Sequence, residues 1–188
     1  MTAPEQVVTP AQLAAHTQGL IAADDPRAEG LLRGVVDAVR SYCGWHVFPV
    51  REDTLTVDGT GGKLLQLPST RVVEVTEVAE DDEPLPQSAY RWSADGTLSK
   101  RVGCWSREFR SVTVTLRHGV QDTADLTLLV LQVAARLGSS PMGWTREQVG
   151  GINVSHGLVD GAAGTVSFLA EEYARLDPYR AVLGGDYA

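Results

Sequence analysis

Apolar positions along this chain change their period twice. Ala28, Leu31, Leu32, Val35, Val36, Val39, Tyr42 and Cys43 recur at three- and four-residue steps. That spacing predicts one apolar stripe on a helix of about 17 residues, with Arg27, Arg33, Asp37 and Arg40 on the polar side. Asp25-Pro26 supplies the start signal and Gly44 the stop. Thr9-Pro10 opens a shorter helix carrying Ala11, Leu13, Ala14 and Ala15, because threonine can cap free amides and proline fits the first helical position.

From residue 47 the period falls to two. Thr54-Leu55-Thr56-Val57, then Lys63 to Leu67, then Val72, Val73, Val75 and Val78 read as three successive strands of a meander. Asp58-Gly59-Thr60-Gly61-Gly62 forms the first hairpin turn and Pro68 ends the second strand. Glu80-Asp81-Asp82-Glu83 reads as a solvated loop. Ala89 to Trp92, the turn Ser93-Ala94-Asp95-Gly96, and Thr97 to Ser99 form a hairpin; Ser111 to Leu116 alternates cleanly as a further strand. Residues 47–118 therefore predict a small antiparallel sandwich or barrel.

Helical spacing then returns. Leu126, Leu128, Leu129, Val130, Leu131, Val133, Ala134, Ala135 and Leu137 cover nearly all faces of a helix that Gly138 closes. A helix apolar that far round is buried, inside its own fold or against neighbouring subunits. Glu147 to His156 reads as one strand, with Gly150-Gly151 as a bulge or a close backbone approach. Residues 157–166 form a glycine- and alanine-rich loop. Ser167 is expected to cap a last helix bearing Phe168, Leu169, Tyr173 and Leu176, which Asp177-Pro178 breaks. The tail from Tyr179 has large apolar residues and no strand to pair with, as in a segment that frays or docks on a partner. The expected class is α+β: N-terminal helices (1–46) and a C-terminal part (119–188) forming one helical unit, with the β-module (47–118) inserted.

Composition narrows the function. The 188 residues are 43% hydrophobic, enough for a core, and the net charge is -8 with no basic stripe. Tight or sequence-specific nucleic-acid binding is not expected, although an acidic surface lets a polyanion slide past without sticking. Met1 to Glu5 lacks a signal-peptide pattern, and no apolar run suits a membrane span. Cys43 and Cys104 read as reduced thiols.

Candidate chemistry is sparse. His16, His46, His118 and His156 share no metal spacing, and no CxxC, GxSxG, P-loop or GxGxxG occurs. A Cys104–His118–Asp122 nucleophile set has chain proximity only. Trp92 and Trp105 could stack a sugar or a base, and more commonly are hairpin core. No catalytic, metal or cofactor site is expected.

The order of elements carries a resemblance. "VDGTGGKLLQLP", "YRWSADGTLSKRVGCW", "SVTVTLRHG", "ADLTLLVLQVAARL" and "EQVGGINVSHG", followed by a tyrosine-bearing helix, resemble the head-to-tail adaptor (connector) proteins of long-tailed double-stranded DNA phages, actinobacteriophage type, over about residues 20–182. The Gly/Ala loop at 157–166 departs from the compact turn of that pattern. The resemblance implies a non-enzymatic virion neck protein, assembled in the host cytoplasm into a ring of about twelve copies. It would sit between the portal protein and a stopper or tail-completion protein, with DNA passing non-specifically through the centre. It further implies a portal contact through Tyr179, Arg180, Val182 and Leu183, and subunit contacts through Leu128, Leu131 and Ala135. A stopper or tail terminator is the nearest alternative, although those tend to be mostly β. A carbohydrate-binding module or small hydrolase using Trp92, Trp105 and Cys104 is the alternative from another class.

Overall fold

A computed structural model describes residues 7–139, 146–149, 152–155 and 166–181. The chain divides into two compact units, one from the N-terminal residues to Tyr42 plus Thr123–Pro178, the other from Cys43–Asp122 plus the segment starting at Tyr179.

The helical unit contains α1 (Pro10–His16), α2 (Ala28–Cys43, its last residue falling in the other unit), α3 (Ala124–Ser139) and α4 (Ala170–Leu176). The start signals act as expected. The Thr9 hydroxyl accepts from the Gln12 amide at 3.3 Å while the Thr9 amide donates to Gln12 Oε1 at 2.8 Å, a reciprocal cap. Asp25 accepts from the Arg27 amide at 2.8 Å and pairs with its guanidinium, which pushes the carboxyl down to about 2. The stripe on α2 is buried at Ala28, Leu32, Val35, Val36 and Val39.

Helix α3 takes its covering from its own chain, one of the two alternatives expected of it. Leu126, Leu129, Val130, Leu131, Val133 and Ala134 are buried within the chain itself. Helix α1 packs against α3. Arg136 on α3 reaches across to α4, donating to Glu172 at 2.7 Å and to the Ser167 carbonyl at 3.1 Å. Gly138 does not end this helix. It lies inside it, where a Cβ would stand 2.4 Å from Ile21 Cδ1, so its role is room for Ile21. Ser167 is not the cap of α4 either: Leu169 holds that position, and its amide donates to Glu172 at 2.7 Å. The single strand expected over 147–156 is two strands, β8 (Arg146–Val149) and β9 (Ile152–Ser155), paired antiparallel with Val149 opposite Ile152. Gly150 and Gly151 lie outside the described residues, as does the loop at 157–165.

The β unit holds β1 (Arg51–Val57), β2 (Leu64–Gln66), β3 (Val72–Glu80), β4 (Glu83–Pro84), β5 (Tyr90–Trp92), β6 (Thr97–Lys100) and β7 (Val112–His118). They form two sheets, ordered β1-β7-β3-β4 and β2-β6-β5. The meander is therefore not observed: β1 pairs with β7 and β2 with β6, so the glycine-rich segment at 58–62 carries the chain from one sheet to the other. Alternate residues of both sheets enter one core, including Leu65, Val75, Val78, Tyr90, Leu98, Val112, Val114 and Leu116, with Trp105 from the loop after β6.

The Ser93–Gly96 turn has one obligatory glycine. Gly96 sits at φ +89°, and a Cβ there would meet the Ser69 carbonyl oxygen at 2.1 Å. Gly96→Ala is expected to destabilise the fold by about 2 kcal/mol or more, the sum of left-handed strain and displaced backbone. Urea unfolding would show it as a lower midpoint with an unchanged slope.

Candidate functional site

Strand β7 is bonded on both sides, and its two ends carry the polar groups that could do chemistry or make contacts. At its C-terminal end His118 is 2% exposed. Its Nδ1 lies 3.0 Å from the Ser69 hydroxyl and its Nε2 lies 3.0 Å from Asp53 Oδ2. Asp53 is also held by Arg51 at 2.6 Å. Burial works against the Asp53 charge, but the hydrogen bonds from His118 and Arg51 outweigh it and hold the carboxyl below its ordinary value. An ionised carboxylate only accepts, so Nε2 donates to Asp53, and in the neutral ring Nδ1 accepts from Ser69.

These residue types and separations are those of a hydrolase triad, yet Ser69 has no exposed surface at all. A nucleophile must reach its substrate, so the arrangement serves as a buried cross-link between β1, β7 and the segment before β3. Residues 53, 69 and 118 are too far apart in sequence for any motif to have found it. The Cys104–His118–Asp122 set does not form, because both ring nitrogens of His118 are engaged by Ser69 and Asp53, while Cys104 is exposed. The tryptophan platform does not form either. Trp105 is 2% exposed, with its Nε1 donating to the Lys63 carbonyl at 3.1 Å, and of the two only Trp92 reaches the surface, beside a shallow hollow lined by Glu74, Gln87 and Arg91. Among the described residues no group of His, Cys, Asp and Glu could hold a metal, and no helix is long and apolar enough to cross a membrane.

At the N-terminal end of β7 two loops are zipped together. Gly59 and Gly61 donate to the carbonyls of Glu108 and Ser106 at 3.0 and 2.9 Å, Trp105 donates to the Gly62 carbonyl at 2.8 Å, and the Arg110 amide donates to Asp58 at 2.8 Å. The Glu80 carboxylate locks this pair from β3, bonding Lys100 Nζ with one oxygen and the Ser106 amide at 2.8 Å with the other. Glu80 therefore departs from the expected solvated loop: its side chain is only 14% exposed, while Asp81 and Asp82 take positive φ and turn the chain into β4. The locked loops display Val102 and Phe109, 84% and 83% exposed.

The residues expected at assembly contacts differ in exposure. Leu128 is exposed, Ala135 half-buried, and Leu131 already covered inside its own unit. Tyr179 and Ala181 are tied to the β unit rather than to the helices: the Tyr179 carbonyl accepts from Trp45 Nε1 at 2.6 Å, and the Ala181 amide donates to the Cys43 carbonyl at 2.8 Å. Arg180 between them is exposed. Val182 and Leu183 lie outside the described residues.

No protein-family model and no curated protein matches the chain. Solved structures do. The chain is similar to one in the neck of the native GTA (gene transfer agent) particle computed with C12 symmetry, with a TM-score of 0.63, 17% identity, and coverage of 98% of this chain and 96% of that one. It is also similar to one in the neck of the empty GTA particle computed with C6 symmetry, with a TM-score of 0.61, 18% identity, and coverage of 94% and 91%. The α+β architecture is thus that of chains found in phage-like particle necks; at these identities the likeness is one of fold.

The buried cross-link makes the pH dependence of stability specific. Asp53 has a depressed folded pKa, so its contribution is complete above the unfolded carboxyl value of about 3.9 and is lost as pH falls through the folded value. Asp53→Asn is expected to lower stability at neutral pH and to flatten the loss of stability below about pH 4. Equal acid slopes for the two proteins in urea titrations would refute that assignment.

Proposed function

We propose that the chain is a structural protein of the neck of a phage-like particle. It forms a ring of about twelve copies between the portal and the stopper or tail-completion protein, and conducts double-stranded DNA without chemical turnover. The observation that carries this is the near end-to-end likeness to a neck chain, 98% of one and 96% of the other, spanning both units rather than one common module. The C12 and C6 symmetries of those necks support a closed ring, which heterologous contacts between identical subunits generate.

The chemistry of the chain suits this role. The triad-like cluster is sealed, and the most exposed large apolar side chains, Val102 and Phe109, stand on hydrogen-bonded loops. Leu128 on α3 is assigned to the neighbouring subunit, with Ala135 beside it along the same helix face. The net charge of -8 keeps a passing polyanion from sticking. The portal is assigned to the C-terminal segment beyond Ala181, with Tyr179 and Arg180 at its base. Particles form in the host cytoplasm and retain the protein in the virion.

Particles assembled without the chain are expected to be heads that acquire no tails and lose their packaged genomes, visible by electron microscopy as tailless, emptied heads. Tailed, DNA-retaining particles would refute the reading. Deleting residues 182–188 leaves the Tyr179 and Ala181 anchors in place and is expected to abolish pull-down of the portal with the melting transition unchanged.

A further inference from the structure

The two sheets of the β unit end in four terminal strands, β1 and β4 in one, β2 and β5 in the other. A terminal strand shows a row of backbone N–H and C=O groups with which another chain can pair, and soluble proteins guard such rows. Two of the four are guarded. On β2, Lys63 and Leu67 turn their groups toward the β6 hairpin, so Leu64 faces outward, and its carbonyl accepts from the Thr60 hydroxyl at 2.8 Å. Strand β4 is two residues long, and its Pro84 has no amide to offer. Strands β1 and β5 carry no such guard.

The ladders show which groups stand free. On β7 the Ser111 carbonyl accepts from Asp81 and the Gly119 amide donates to Arg71, so its odd-numbered residues serve β3 and its even-numbered ones serve β1. The even-numbered residues stand opposite Arg51, Asp53, Leu55 and Val57. Glu52, Thr54 and Thr56 therefore point their N–H and C=O groups away from the sheet, and all three are exposed. In the β5–β6 hairpin Ser93 donates to Thr97 and Arg101 donates to Ala89, so Ala89, Arg91 and Ser93 serve β6 while Tyr90 and Trp92 point outward. No hydrogen bond among the described residues occupies the backbone groups of these five. Strand β1 has no proline, glycine, lysine or register shift. Beside β5 lies an open hollow of about 490 Å³, lined across from it by Glu74 and Val75 of β3. On each edge the free residues are two apart, a repeat of about 6.7 Å, so the two edges match. Two different edges pair head to tail, and every contact leaves one of each for a further copy; that is the heterologous kind of contact that closes into a ring.

We infer that β1 of one copy pairs edge to edge with β5 of the next, Glu52, Thr54 and Thr56 meeting Tyr90 and Trp92 through backbone hydrogen bonds. The contact rests on the ring reading and adds to it a strand-to-strand joint in the β unit. Sedimentation of the full chain is expected to show self-association that grows with concentration. Thr56→Pro and, separately, Trp92→Pro each remove an outward amide that the chain's own ladder does not use, and are expected to weaken association by about tenfold or more with circular dichroism unchanged. Thr56→Ser and Trp92→Thr keep the amide and are expected to associate far more tightly than the prolines. Thr54→Lys, which leaves the backbone alone, is expected to weaken association as edge lysines do. A mixture of the Thr56→Pro and Trp92→Pro proteins is expected to stop at dimers, because one intact β5 meets one intact β1 and no further open pair is left. Proline and lysine variants that associate like wild type, a mixture that grows beyond dimers or forms none, or a wild-type chain that stays monomeric at every attainable concentration would each overturn the contact. So would a monomeric chain whose β5 edge, blocked in Trp92→Pro, proves to be needed by a different neck protein. The ring itself is decided separately, by electron microscopy of particles: rings that persist with Trp92→Pro copies remove this contact and leave the ring standing.

Discussion

Strand β7 is the constraint on which the β unit depends. It is hydrogen-bonded along its whole length, to β1 on one side and β3 on the other. Its inward residues Val112, Val114 and Leu116 are fully buried, while Thr113, Thr115 and Arg117 face outward. A slip of one residue would exchange the two sets, so burial alone selects the register strongly. Both ends of the unit hang from that choice. At one end the register sets where His118 meets Asp53 and Ser69, and at the other it sets where Arg110 meets Asp58 and where the Asp81 turn begins.

Polar groups then pin what the core selects. Glu80 and His118 are both largely removed from water, and each finds two partners on other segments. A buried charge or ring nitrogen without partners would cost several kcal/mol. Alternative packings that separate these groups are therefore disfavoured, and the loops they hold are presented in one conformation. In the helical unit Arg136 and Glu172 act similarly, fixing α4 on α3 while Glu172 also satisfies the amide that starts α4. The resulting structure is stiff where it shows apolar and charged side chains.

The buried Ser69–His118–Asp53 arrangement illustrates why geometry without access says little about activity. Distances of 3.0 Å on both sides of an imidazole are those of a nucleophile, base and orienter. Here the hydroxyl points into protein, and the same bonds that would activate it instead tie strands together. In this cluster the side chains hold the shape of the β unit.

Local chemistry was readable in the sequence by itself. Thr9-Pro10 and Asp25 mark helix starts, the three-to-four spacing from Ala28 to Cys43 marks the buried face of α2, and the clean alternation before His118 marks β7. Each is decided by neighbours within a few residues, through caps, periodicity and turn preferences. Strand partners were not readable in the same way. The glycine-rich segment after β1 suits a hairpin and a crossover between sheets equally, and only the pairing of β1 with β7, some sixty residues away, decides between them. The same holds for Glu80, whose carboxylate looks solvated beside three other acids until Lys100 and the Ser106 amide arrive. It holds for the His118 partners, drawn from two distant segments. Backbone preference and hydrophobic period act over short stretches of chain; pairing, burial and hydrogen-bond partnership depend on which distant residues share the core, and that is settled only when the whole chain packs.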